Sequence, residues 1–219
     1  MNVLGFDAAL GPFSVALDRN GQLSGERSDR NDALEVGLAR IARVLTTASL
    51  DLHAVDRIGV GIGPGSFTGI RIALSYAKAL AYATGKPLVG ISSYDILADG
   101  TNDTSALVIV RGRVGIVCAR LTAGGREEIA CGPTSTVVER LVGALPAAAG
   151  LTVIAATEDV FAEIGERIPQ ARQIVSPGAA DPGAVVARLT RHRQAGLSPH
   201  GIAPDYGELP AVTVPKGAQ

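Results

Sequence analysis

Between Ile58 and Ala81 the chain reads IGVGIGPGSFTGIRIALSYAKALA, and this run constrains the fold more than any other segment. It opens as a β-branched strand, passes through a glycine-rich turn and continues as a helix of small residues. Gly63, Gly65 and Gly69 permit backbone angles and close approaches that a Cβ would forbid. Pro64 stiffens the turn, and Ser66 or Thr68 is placed to cap the helix that follows. Such a turn is expected to aim several N–H groups outward at a positive helix end, as an anion site requires. No Lys-Ser or Lys-Thr pair closes it, so it is not a P-loop, and the dinucleotide Gly-x-Gly-x-x-Gly spacing is also missing.

Around this run, local patterns predict the order βββαβα. Val3 to Phe6 and Phe13 to Leu17 read as buried strands. Asn20-Gly21, a strong hairpin signal, leads to a third strand at Gln22 to Arg27. A helix is predicted from about Asp32 to Ala48, then the strand at Arg57 to Ile62 and the small-residue helix from Gly69 to Thr84. The second half repeats the order, with strands at Ala106–Val110, Val114–Leu121 and Glu127–Cys131. Turns fall at Arg111-Gly112-Arg113 and at Gly124-Gly125. A helix from about Thr136 to Leu145, the strand Thr152–Ala156 and a helix from about Glu158 to Arg167 complete the repeat. Asp181-Pro182 opens a last helix running to about Ala195, and the tail from Pro199 is expected to be extended.

The unbroken run Gly63-Pro64-Gly65-Ser66-Phe67-Thr68-Gly69-Ile70-Arg71 closely resembles the signature of the TsaB family, at the same distance from the N-terminus. That family is a non-catalytic partner in the synthesis of threonylcarbamoyladenosine on tRNA. The resemblance implies the actin-like/sugar-kinase ATPase fold, and two tandem βββαβα units follow that plan. The expected lobes are residues 1–98 and 99–198, with a tail at 199–219. The resemblance further implies a heterodimer with the catalytic subunit TsaD, and TsaE in a larger complex. It implies a homodimer when the chain is alone, and only indirect contact with tRNA. Departures from the family pattern are Ala8, where a hydroxyl residue is usual, and Pro204-Asp205-Tyr206-Gly207, which keeps the Pro and Tyr but not the Arg of a C-terminal element.

By the same resemblance, Asp7, Ser14, Gly63, Gly65, Ser66 and Thr68 form the remnant of a nucleotide cleft. The reading from residues alone is that Asp7 caps its own turn, and this reading is preferred. On the first helix Leu34, Leu38, Ile41, Leu45 and Ala48 recur at spacings of four and three, the seam of a helix packed lengthwise on another. In the family the first two helices make the partner contact. The expected interface is therefore Leu34, Leu38, Ile41 and Leu45 with Ile70, Ala73, Ala77 and Leu80. The alternative is that both helices simply cover their own sheet.

Other chemistry finds little support. The catalytic relative binds a metal through histidines at i, i+4 on its first helix; this chain has three scattered histidines and no such pair, so neither a metal nor a cofactor is expected. Gly65-Ser66-Phe67-Thr68-Gly69 does not fit a nucleophile elbow. Runner-up readings are an ATP-dependent phosphotransferase of the sugar-kinase type and a metallopeptidase. A net charge of −1 over 219 residues argues against a broad nucleic-acid surface. With 4% aromatic residues and no Trp, the core must be aliphatic. Cys118 and Cys131 lack a metal-type spacing and are expected to be reduced, buried thiols. The N-terminal run carries Asp7 and no basic region, unlike a signal peptide; a cytoplasmic location without a membrane span is expected.

Overall fold

The computed structural model describes residues 1–101, 103–112, 115–142, 150–164, 168–194 and 198–207. In the first lobe, β1 (Asn2–Asp7), β2 (Ser14–Arg19), β3 (Gln22–Arg27), β4 (Arg57–Gly63) and β5 (Leu88–Ser92) form one sheet in the order β3-β2-β1-β4-β5. The hairpins are antiparallel, whereas β1, β4 and β5 run parallel. A second sheet repeats the topology with β6 (Ala106–Arg111), β7 (Ile116–Ala123), β8 (Arg126–Pro133), β9 (Thr152–Ala155) and β10 (Arg172–Val175), in the order β10-β9-β6-β7-β8. This is the expected actin-like, sugar-kinase type of α/β architecture. Each unit carries one strand more than the sequence pattern predicts, β5 and β10. Asn20 and Gly21 take φ of 52° and 91°, and Gly124 and Gly125 take 57° and 76°, the paired positive φ of tight hairpin turns.

Helix α1 (Ala33–Thr47) and helix α2 (Phe67–Thr84) cover one face of the first sheet. Their buried residues, among them Ile41, Val44, Leu45, Ala73 and Ala77, pack on Leu4, Phe6, Ile58 and Val60. Strand alternation sends the neighbouring positions to the opposite face. There Gly5 meets α6 (Pro182–His192) so closely that a Cβ on Gly5 would overlap the backbone of Ala187. Asp18, almost fully buried, accepts from Arg191 Nε at 2.7 Å and Nη2 at 2.5 Å, which ties the helix end to β2. Burial, the largest single influence, would raise the Asp18 carboxyl, but the Arg191 hydrogen bonds, the Gly21 N–H and the charges of Arg191 and His192 together hold the group below its ordinary value. The last helix was expected within a 99–198 lobe; it docks instead on the first sheet, because the glycine face of β1 and β4 is shaped to receive it.

A short helix, α3 (Ser93–Ala98), follows β5 and joins the lobes. Tyr94 and Leu97 enter a cluster with Val108, Cys118 and Ile154, while Ile96 packs with Val185 and Val186 of α6. Asp95 accepts from Arg120 Nη1 at 2.6 Å and from Arg193 Nη2 at 2.5 Å, joining β7 to the chain after α6. In the second lobe α4 (Thr134–Val142) and α5 (Asp159–Ile164) cover a separate aliphatic core around Leu107, Ile109, Leu141 and Val153. Parts of several expected elements fall outside the described residues: Arg113 and Val114, Gly143 to Leu145, Gly165 to Arg167, Ala195 and the tail beyond Gly207. Among the described residues, no helix is long and apolar enough to cross a membrane.

Cys118 and Cys131 are bonded as a disulfide, which corrects the expectation of two free thiols. They face each other across β7 and β8, with Cα atoms 4.1 Å apart. Thirteen residues of separation gave no hint of this; the hairpin register alone creates the pair.

The docking of α6 on Gly5 makes a quantitative prediction. An alanine at Gly5 should lower the unfolding free energy by about 3 kcal/mol, because backbone must move to admit the methyl. Urea denaturation checks this, and a loss below roughly 0.5 kcal/mol would mean that the contact has slack.

Candidate functional site: a filled cleft and an open helix face

The turn between β4 and α2 does not hold its donors free. Ser66 N–H donates to Ala9 O at 2.8 Å, and Gly69 N–H donates to Ser66 Oγ at 3.2 Å, so Ser66 is the helix cap. A Cβ on Gly65 would overlap Ala9 O, and one on Gly69 would overlap Ala8 O. The glycines therefore admit the backbone of Ala8–Ala9. The outward-facing anion cradle expected from the sequence is corrected on this point: its space, and two of its donors, are taken by the chain itself. Gly63, at φ 101° and joined to Pro64 by a cis peptide, is buried, whereas Ser66 and Thr68 are exposed.

Asp7 ends β1 and pairs in register with Ser14 at the start of β2, both fully buried. The strand pattern places them on the α6 side, and α6 occupies what Ser14 could offer. Ser14 Oγ donates to Asp181 Oδ1 at 2.5 Å and accepts from Gly183 N–H at 3.0 Å. Asp181 in turn accepts from Ala184 N–H, so Ser14 completes the cap of α6. Asp7 Oδ1 accepts from Leu10 N–H at 3.0 Å, the turn-capping role read from the sequence. Its Oδ2 is buried against Gly61 with no hydrogen-bond partner. Burial pushes the Asp7 carboxyl up to about 6, against the lowering effect of the Leu10 and Ala9 N–H groups and of the Arg27 charge. Among the described residues no cluster of three or more His, Cys, Asp or Glu is placed to hold a metal ion.

The eight expected interface residues divide into two groups. Leu34 and Leu38, one turn apart on α1, are 67% and 52% exposed. Ile41, Leu45, Ile70, Ala73 and Ala77 are buried inside the first lobe, and Leu80 is half-buried against the same core. Their assignment to an outer contact is corrected: the four-three spacing on α1 spans both its core face and its outer face. Beside Leu34 a cleft of about 260 Å³ opens between the helix starts, with Ala8, Phe13, Glu35, Ser66 and Ile72 in its wall. Tyr76 holds the helices together by donating its hydroxyl to Leu34 O at 3.0 Å. Phe67, 52% exposed, lies beneath the Arg71 guanidinium at 4.5 Å and stacks on Tyr206 at 4.8 Å. Phe67 and Tyr206 were in the quoted motifs, but their meeting was not legible, because it joins segments far apart in sequence.

Asp7 makes stability depend on pH. Its folded-state value lies above the unfolded one, so its contribution is fully present below about pH 4 and is lost as pH rises through about 6. Relative to an Asp7→Asn variant, the protein should lose about 3 kcal/mol of stability between pH 4 and pH 8. Parallel urea titrations at several pH values measure this difference, and a flat difference would show that the carboxyl titrates normally.

Comparison with known proteins identifies the family and the fold. The family model described as TsaD: tRNA N6-adenosine threonylcarbamoyltransferase matches residues 35–177, more than half of the chain. The Escherichia coli K12 "tRNA threonylcarbamoyladenosine biosynthesis protein TsaB" is 32% identical over 123 residues, covering 53% of each protein. The Haemophilus influenzae Rd protein of the same description is 32% identical over 100 residues, covering 45% of this chain and 42% of its own. The chain thus spans about half the length of these curated relatives. Two solved structures from Pseudomonas aeruginosa share the fold. One, described as an uncharacterized protein with similarity to peptidase YEAZ, has a TM-score of 0.73 and 23% identity over 94% of this chain and 99% of its own. The other, YeaZ, has a TM-score of 0.68 and 21% identity over 93% and 100%. The chain belongs to the family that the TsaD model describes, and its likeness to the curated proteins places it in the TsaB group of that family.

Proposed function

We propose that this chain is a non-catalytic subunit in the synthesis of N6-threonylcarbamoyladenosine at position 37 of tRNA. It binds and activates a TsaD-type catalytic subunit, which transfers the threonylcarbamoyl group, and TsaE joins the larger assembly. The observation that carries the reading, within this family, is the outer face of α1, where Leu34 stands exposed in the wall of the 260 Å³ cleft and Leu38 stands exposed one turn further on. Two leucines one turn apart, next to a recess of side-chain size, are the composition of a helix-to-helix contact centre. The same face serves self-association when the partner is absent. The contact is narrower than the full leucine seam, because Ile41, Leu45, Ala73 and Ala77 are committed to the core.

The cleft around Asp7 supports the non-catalytic role. Ser14 is bound up in the α6 cap, the turn donors Ser66 and Gly69 are spent on the chain, and Asp7 is closed in by Gly61. With contact to tRNA left to the partner, the near-neutral charge is accommodated. Work on tRNA also places the assembly in the cytoplasm.

The double variant Leu34→Glu with Leu38→Glu tests the proposal. Both side chains are exposed, so the urea midpoint should stay close to that of the parent. Affinity for the TsaD-type subunit of the same organism should fall at least about 100-fold, as two carboxylates enter an apolar contact. Titration by calorimetry, with sizing of the complex, reads the result. A parent that does not pair at all would sink the function, and a double variant that pairs at full strength would sink the assigned face.

A further inference from the structure

We propose that Cys118 and Cys131 form a reversible dithiol–disulfide site whose oxidation state controls the seating of the segment Ile202–Gly207 across the two lobes. The pair joins β7 to β8 in the second lobe, while the segment is anchored in the first. Ile202 is buried in the core beneath α1 and α2, and Asp205 N–H donates to Ile62 O of β4 at 2.8 Å. Asp205 O lies against Gly63 so closely that a Cβ there would overlap it. Tyr206 then stacks on Phe67 at the start of α2. Gly207, at φ 72° and with its N–H donating to Asp205 Oδ1 at 2.9 Å, closes on the disulfide. A Cβ on Gly207 would overlap Cys118 Sγ and crowd Cys131 Sγ and Pro64. Five consecutive contacts therefore run from the first core to the sulfurs of the second lobe.

The coupling is steric. Bonded sulfurs sit about 2 Å apart, whereas two thiols must separate to roughly 3.5 Å or more. The added volume has little room, because Cys118 is 2% exposed and packed in the cluster of Tyr94, Val108 and Ile154. The direction that yields is toward Gly207, at the surface end of the segment. Cys131 is half-buried where Cys118 is buried, which makes it the more accessible cysteine of the pair. A dithiol reductant attacks Cys131 Sγ as its thiolate, the S–S bond breaks, and Cys118 leaves as a thiolate that takes up a proton. The second thiol of the reductant then displaces Cys131, which is protonated in turn. Two electrons and two protons pass to the pair, and the reductant ends as a disulfide.

Hydrogen exchange on the free, full-length chain tests the inference without reference to any partner. Dithiothreitol is the reductant, and thiol labelling after denaturation counts the cysteines released. On reduction, exchange at the Asp205 and Gly207 amides should rise roughly tenfold or more, while β1 amides keep their protection. Re-oxidation with the oxidised form of the same dithiol should restore both. A Cys131→Ser variant without reductant should match the reduced parent, although the parent experiment decides the matter alone if that variant folds poorly. Unchanged exchange at Asp205 and Gly207 in fully reduced protein overturns the coupling. Exchange that rises equally throughout makes the disulfide a general staple and overturns it as well. Failure of the pair to re-form overturns the reversibility.

Discussion

The docking of α6 on the glycine face of β1 and β4 is the contact on which the rest of the molecule depends. Because Gly5 carries no side chain, a helix backbone reaches the sheet where a Cβ would otherwise hold it away. Arg191 locks the far end by chelating Asp18, and Asp181 locks the near end by accepting from Ser14. The chain leaves the second lobe and returns to the first to make these contacts. It thereby closes the two-lobed body and covers the face on which Asp7 lies. A buried carboxylate with one oxygen unpartnered is costly in its charged form, and its raised value records that cost.

The same packing separates two surfaces with different roles. On the α6 side Ser14 is turned inward and serves a helix cap, while at the start of α2 the Ser66 N–H is given to Ala9 O and the Gly69 N–H to Ser66 Oγ. On the α1–α2 side the core takes Ile41, Leu45, Ala73 and Ala77, leaving Leu34 and Leu38 outside. An apolar helix can hide only the part of its circumference that faces the sheet. The proposed partner contact uses that remainder. Between the lobes, Asp95 with its two arginines and the segment Ile202–Gly207 bridge the units.

Much of this was legible in the chain. Apolar and β-branched runs marked most strands, Asn20-Gly21 and Gly124-Gly125 marked two hairpins, and the run Gly63 to Arg71 marked the strand–turn–helix and the family. β5 and β10 were missed for a physical reason. Leu88–Ser92 is a five-residue strand directly behind a helix and Pro87, and Arg172–Val175 is a four-residue edge strand with an exposed face. Neither is long enough to show a period. The leucine seam of α1 was visible, but its division into core and surface was not, because spacing fixes the angle between residues and not the direction of the sheet.

By itself the sequence determined what short-range chemistry controls: the helices and turns, the β1 carboxylate held by its own turn, a cap at Ser66 or Thr68 and the doubled order of elements. Tertiary structure decided what depends on residues distant along the chain. Only the folded chain brings α6 back to the first sheet, sets Cys118 opposite Cys131 and lays Tyr206 on Phe67. Only there is the Ser66 N–H taken by Ala9 O. The reason is the range of the forces involved. Backbone sterics and local hydrogen bonds act within a few residues, whereas burial is shared among whichever surfaces the completed fold brings together.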